Sequence, residues 1–409
     1  MEYPNHPARR YQNCIAVAVP LFLVATAVTA IQYKIPTIMV PVMQQFGVGA
    51  YAASWLMSIF TFVGIVFSLP VGMLARRFQP KRIILAAVVL ACAASLAGAF
   101  AQDVALLLAT RALEGVSLVC VIACGPIVIQ QCVDPARRGT ASGIWMLGGM
   151  IGATLAGVTT PLLYDLVGFS GLWLAYAAFA AVSGAILAVV VKAPAAKAPA
   201  ANGNESRAVR DARPFRERLK AEYGVFAKPN TWAFYLPFGI FQILLLSVLS
   251  YAPTSLQQQG MDASLSGFVS TLPMLIAIVS SVAFGALSDA LHRCKPLFVV
   301  GMLAMALCTP VLLTLSGVPL WIAVVAMGLF AMGVPTVAIS AYPSILGDPK
   351  LMTVGMGVLM LVQSMGQFLG SLVPASLLGP DLSQWTLCAA VLCGLGLVGT
   401  VSLLACRFR

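Results

Sequence analysis

Long apolar runs separated by short polar breaks set the pattern of this chain. They fall at about 14–43, 51–75, 83–101, 104–131, 139–163 and 171–191. After a polar stretch at about 193–229 they resume at 231–257, 264–288, 296–315, 319–346, 351–378 and 383–406. A helix rises ~1.5 Å per residue, so about 20 residues cross a ~30 Å hydrocarbon core. The pattern predicts an all-α membrane protein with 12 transmembrane helices arranged as two six-helix bundles. The expected units are residues 1–192, a linker at 193–229, and residues 230–409. The first run is too long for a signal-peptide core and lacks a small-residue cleavage site, so it is expected to remain as helix 1. It also exceeds the bilayer thickness, and Pro20, Pro36 and Pro41 offer places to bend. The linker opens Pro/Ala/Gly-rich and flexible. Its segment from about 213 to 223 is expected to form a short basic amphipathic helix on the membrane surface.

Composition agrees with the pattern. Of 409 residues, 60% are hydrophobic and 9% charged, against about 25% charged in soluble domains. The net charge of +11 is explained by topology rather than by nucleic acid. With the N-terminus placed in the cytoplasm, Arg76, Arg77, Lys81, Arg82, Arg137, Arg138, Arg293, Lys295, Lys350, Arg407 and Arg409 all fall on the cytoplasmic side. The opposite loops carry Asp103, Asp165, Asp262 and Asp381. The positive-inside rule thus predicts a multi-pass protein of the plasma (inner) membrane with both termini cytoplasmic. The ten cysteines are scattered and suggest no disulfide framework. Cys120 and Cys124, one turn apart, are read as packing residues. The two histidines, His6 and His292, lie at predicted cytoplasmic positions. No metal site, cofactor, nucleotide loop or nucleophile constellation emerges, so an enzyme is not expected.

The two halves resemble each other. Gly72 in VGMLARRFQPKR matches Gly285 in FGALSDALHRCK. Gly143, Met146, Leu147, Gly152 and Leu155 match Gly357, Met360, Leu361, Gly366 and Leu369, and Pro161 matches Pro374. A parallel repeat of this kind implies two bundles that rock about a site near the membrane midplane.

With twelve helices as six plus six, a basic central loop, a glycine-and-basic loop between helices 2 and 3 and an arginine in helix 4, the chain resembles the major facilitator superfamily, in particular an organic-anion-transporting branch. The family's loop pattern G-x-x-x-D-r-x-G-r-k/r is matched by Gly72, Arg77, Lys81 and Arg82. Arg76 replaces its Asp and Gln79 its second Gly, while Asp289 keeps the acid in the second-half copy. The resemblance therefore implies a conformational gating role for Gly72, Arg76, Arg77, Lys81, Arg82 and Asp289, with the latch altered at Arg76. The helix-4 pattern R-x-x-x-G is matched by Arg111 and Gly115. The Gly-Pro pair of the family's helix-5 antiporter motif is absent; Gly148, Gly149, Gly152 and Gly157 read as close-packing positions.

Three charges, Lys34, Arg111 and Glu114, lie well inside apolar segments. A charge at the bilayer centre costs at least ~2.5–3.5 kcal/mol on insertion scales, so such residues normally serve a function. Arg111 and Glu114, three apart, share a helix face. They form either an intrahelical ion pair or part of a binding site, and Lys34 either snorkels outward or joins them. The family places helices 1 and 4 on the central cavity, so the resemblance implies an anion site of net charge +1, with Arg111 offering a bidentate fork. Glu114 is the expected proton carrier. In the second half, Gln242, Tyr342, Gln363 and Gln367 are expected either to bind substrate or to bond helix to helix. The reading is a monomeric symporter that couples protons to a small organic anion by alternating access in the lipid bilayer. The alternative is a proton-coupled multidrug exporter of neutral or cationic compounds.

Overall fold

The computed structural model of the protein describes residues 11–192, 229–291, 294–338 and 352–406. Each regular element among them is a helix. In lipid, an α-helix satisfies its backbone polar groups within its own segment, and these apolar sequences use that solution throughout. The first half contains α1 (Cys14–Tyr33), α2 (Met39–Phe46), α3 (Ala50–Arg77), α4 (Pro80–Ala99), α5 (Val104–Cys132) and α6 (Arg138–Val190). The second contains α7 (Pro229–Gln258), α8 (Ala263–Leu291), α9 (Cys294–Thr314), α10 (Val318–Ala326), α11 (Met352–Leu378) and α12 (Trp385–Ala405). Among the described residues, eleven helical stretches are long and apolar enough to cross a membrane.

The 53-residue α6 belongs to one of these stretches, and it is not straight. Gly168 interrupts it at φ 68° and ψ −172°, a conformation open to glycine and strained for other residues. The Tyr176 hydroxyl bonds Thr159 Oγ1 at 2.9 Å and Thr160 Oγ1 at 2.7 Å. A straight helix would hold residues 16 apart at about 24 Å, so the two legs fold back on each other.

The first apolar run breaks once. Pro20 lies within an unbroken α1, and Pro41 sits in the first turn of α2, where a missing N–H is tolerated. Pro36 makes the break. It cannot donate to the Gln32 carbonyl, and the chain passes through a 3-10 turn at Pro36–Ile38 before α2 begins. The last carbonyls of α1 are thereby left without intrahelical partners, and these are the groups to which the charged site is attached.

The repeat is visible in the packing. An added Cβ on Gly152 would lie 2.5 Å from the Thr26 carbonyl oxygen, and one on Gly366 would lie 2.5 Å from the Gly239 carbonyl oxygen. Both members of the second pair lie 213 or 214 positions after those of the first. Likewise a Cβ on Gly115 would meet Val63, and one on Gly328 would meet Ile276, again 213 positions apart. Small residues let helix backbones approach closely where lipid supplies no hydrophobic drive for association. Around Gly328 the second half departs from the first, because Met327–Ala331 forms a π-helical turn.

Among the described residues, the halves meet near the loops that carry Asp103, Asp262 and Asp381, the acidic-loop end. Ser58 and Ser371 share a 2.6 Å hydroxyl hydrogen bond, and Trp55 and Phe62 each pack on Phe368. Gln257 donates to the Thr37 carbonyl at 3.0 Å, and Thr254 to the Pro36 carbonyl at 3.4 Å. Gly157 and Gly267 meet backbone to backbone; a Cβ on Gly267 would stand 2.0 Å from the Gly157 carbonyl oxygen.

Candidate functional site

Arg111 and Glu114 project from one face of α5, which Asp103 starts by accepting a hydrogen bond from Leu106 N. Glu114 is held from three sides. Its Oε2 accepts from Arg111 Nη1 at 2.7 Å, and its Oε1 accepts from Lys34 Nζ at 2.8 Å and from the Ser95 hydroxyl on α4. The side chains of Lys34, Arg111 and Glu114 are fully buried. Two cations face one carboxylate, so the cluster has a formal net charge of +1.

Arg111 also secures the broken end of α1. Its Nη1 donates to the Ile31 carbonyl at 2.7 Å, its Nη2 to the Gln32 carbonyl at 2.8 Å and its Nε to the Leu56 carbonyl of α3 at 3.1 Å. Those at Ile31 and Gln32 are the carbonyls freed at the Pro36 break. A guanidinium there meets both the unpaired acceptors and the negative end of the α1 dipole. The planar group lies over the Phe60 ring, 4.0 Å from its centroid. Lys34 Nζ sits 4.0 Å from the centroid of Trp173 on the second leg of α6, and Phe169 stacks on that indole at 4.1 Å. Both cations thus rest on aromatic faces as well as on Glu114.

Lys34 does not snorkel to a surface, and the intrahelical pair is only one arm of a larger cluster. In this conformation the three groups lie inside the first half, enclosed by α1, α3, α4, α5 and α6, rather than facing an open central cavity. The physical reason is complementarity: each cation finds anionic and aromatic partners at packing distance, and Arg111 finds carbonyls as well. The sequence reading missed Ser95, Phe60 and Trp173. A serine within the apolar run of α4 was the available hint for the first, and no sequence signal marked the other two.

In the second half Gln242 is buried, and its Oε1 accepts from Gln367 Nε2 at 3.3 Å, linking α7 to α11. Gln363 lies one turn away on α11, half-buried. Lys81 Nζ donates to the Ala188 carbonyl at 2.8 Å near the end of α6, and Lys295 repeats the device on the Leu404 and Cys406 carbonyls at 2.7 Å. Arg82 is exposed. Tyr342 and the linker residues 193–228 lie outside the described residues, as do the surroundings of Gly72 and the side chains of Arg76, Arg77 and Asp289. No group of three or more His, Cys, Asp or Glu able to hold a metal occurs among the described residues.

Known proteins share this architecture. A 3-(3-hydroxy-phenyl)propionate transporter of Escherichia coli (strain K12) is 26% identical over 341 residues, covering 82% of this chain and 80% of that protein. A D-xylose transporter of Levilactobacillus brevis is 25% identical over 146 residues, 36% of this chain and 31% of that protein. Among solved structures, the nucleoside transporter NupG superposes with a TM-score of 0.77 at 12% identity, covering 96% of this chain and 99% of that one. A bacterial homolog of the human lysosomal transporter Spinster, inward-facing and unoccupied, gives 0.67 at 16% identity, covering 98% and 94%. These two likenesses speak to fold alone. The profile of the Major Facilitator Superfamily matches residues 22–371 and 249–409. The chain therefore belongs to the Major Facilitator Superfamily, whose membrane-embedded transport architecture its helices build.

Proposed function

We propose that the protein is a secondary active transporter that moves a small organic anion together with a proton by alternating access. The observation that carries this reading is the fully buried Lys34–Glu114–Arg111 cluster with its net charge of +1. The relative that carries an aromatic propionate supports the choice of an organic acid. On this reading α6 makes two crossings about Gly168, giving twelve in all. The protein lies in the plasma membrane with its basic loops in the cytoplasm, so the contacts described at the acidic-loop end close it on the outer side.

The charge account gives the coupling. A substrate carboxylate competes with Glu114 for Arg111 and Lys34, and Glu114, displaced from its cations, takes up a proton. Loaded with one proton and one monoanion, the site keeps the net charge of +1 that it has when empty. The cycle is then electroneutral, and substrate accumulation follows the pH gradient rather than the membrane potential. Gln242, Gln363, Gln367 and Tyr342 shape the uncharged side of the substrate site.

The test is uptake of radiolabelled 3-phenylpropionate into proteoliposomes. Uptake is expected to rise with an acidic exterior, to ignore a potassium-diffusion potential and to vanish in Arg111→Ala. Wild-type uptake in that variant, or uptake insensitive to the pH gradient, overturns the assignment.

A further inference from the structure

We propose that the charged cluster and the contacts closing the acidic-loop end form one coupled unit, with the broken first helix as the connecting element. The inference deepens the proton-coupling reading and rests on it only for naming the proton as the natural trigger.

The connection is short. Arg111 holds the carbonyls of Ile31 and Gln32, and Lys34 holds Glu114. Two and three residues beyond Lys34, the carbonyls of Pro36 and Thr37 accept the hydrogen bonds of Thr254 and Gln257 from α7 of the other half. A Cβ on Gly267 of α8 would lie 2.8 Å from Thr37 Cγ2, so α8 packs on the same turn. The turn Pro36–Ile38 is thus fixed on one side by the cluster and on the other by the second half. It is not a regular α-helix, because Pro36 removes the hydrogen bond that would have made it one. Its geometry therefore depends on those two sets of partners.

Neutralising Glu114 removes the counter-charge of both cations at once. Two buried positive groups then face each other without an anion. The arrangement relaxes by admitting water or an anion, and this requires Arg111 and Lys34 to move. Their movement releases the end of α1 and, with it, the turn on which Thr254 and Gln257 dock. Protonation at Glu114 thus lowers the population of the state closed at the acidic-loop end. By reciprocity, opening that end raises the affinity of Glu114 for its proton.

A disulfide reports the closed state without touching the proposed linkage. Gly49 and Pro380 lie on opposite halves at the acidic-loop end, both exposed, and a Cβ on Gly49 would stand 3.9 Å from Pro380 Cβ. That matches the ~3.8 Å mean Cβ separation of a disulfide. The Gly49→Cys/Pro380→Cys protein is purified in detergent and treated with a mild oxidant, and the 49–380 cross-link is followed by peptide mass spectrometry. Adding Glu114→Gln is expected to slow cross-linking at least about tenfold. Arg111→Lys, which keeps the charge but loses the fork spanning two carbonyls, should also slow it. Size-exclusion profiles establish that each protein is folded. Equal rates in folded Glu114→Gln and Arg111→Lys overturn the coupling. Because the assay uses neither substrate nor a pH gradient, it separates the two claims. Altered cross-linking with pH-insensitive uptake removes the proton reading and leaves the coupling. Unaltered cross-linking with normal proton-driven uptake does the reverse.

Discussion

The charge balance of the cluster can be measured with a double-mutant cycle on Glu114 and Lys34. Glu114→Gln keeps the side-chain shape but leaves Lys34 and Arg111, both fully buried, without an anion. Removing one partner of a buried pair costs about 3–5 kcal/mol. Lys34→Met removes the surplus cation and leaves the Arg111–Glu114 pair neutral overall. Its cost is one charge-assisted hydrogen bond of about 1.5–3 kcal/mol and a cation–π contact of up to about 2 kcal/mol when desolvated. In the double variant the uncharged amide that replaces the Glu114 carboxylate faces the Ser95 hydroxyl and a single cation, Arg111, which keeps its bonds to the Ile31, Gln32 and Leu56 carbonyls. Much of the penalty of Glu114→Gln is then relieved, and the two losses should fall short of additivity by about 2 kcal/mol, within the ~0.5–3 kcal/mol range of directly interacting pairs. The assay is thermal unfolding of the purified proteins in one detergent. At about 2 °C or less per kcal/mol for a chain of this length, Glu114→Gln should melt several degrees below wild type, and the double variant should melt up to about 4 °C above the sum of the two single losses. A wild-type midpoint for Glu114→Gln, or strictly additive losses in the double variant, would refute the charge account.

Other outcomes follow from the same geometry. Ser95→Ala removes one of the three donors to Glu114 and is expected to cost about 1.5–3 kcal/mol, read as a lower melting midpoint with the fold intact. Gly152→Val places its Cβ 2.5 Å from the Thr26 carbonyl oxygen; overpacking of this kind costs about 1–3 kcal/mol or more, and Gly366→Val should match it across the repeat. Gly267→Ala meets the Gly157 carbonyl oxygen at 2.0 Å and should slow the 49–380 cross-link.

The sequence exposed much of the fold, because helices in lipid must be long and apolar, and that requirement is local. The Pro36 bend was readable, since a proline removes a hydrogen bond wherever it stands in a helix. The repeat was readable through Gly152 and Gly366, where only a small residue admits the facing backbone. The site was readable only in part. Arg111 and Glu114 were paired by helical spacing, but the approach of Lys34 spans 80 residues and depends on how α1 packs against α5. The glutamines show the same limit. The sequence left them either binding substrate or bonding helix to helix, and only the structure pairs Gln367 with Gln242, 125 positions away. Ser95 carries only the weak mark of a serine in an apolar run, and Phe60 and Trp173 carry none, because a phenylalanine or a tryptophan in an apolar helix is ordinary until its neighbours are known. The π turn at Met327–Ala331 was equally silent.

Proton movement itself is the most direct measure of the central claim. Proteoliposomes loaded with a pH-sensitive dye, at equal internal and external pH, are given 3-phenylpropionate outside. The account predicts that the lumen of wild-type vesicles acidifies as the anion enters, one proton per anion, and that Glu114→Gln vesicles show no protein-dependent acidification. Anion entry with no pH change in wild type, or undiminished acidification through Glu114→Gln, would contradict it.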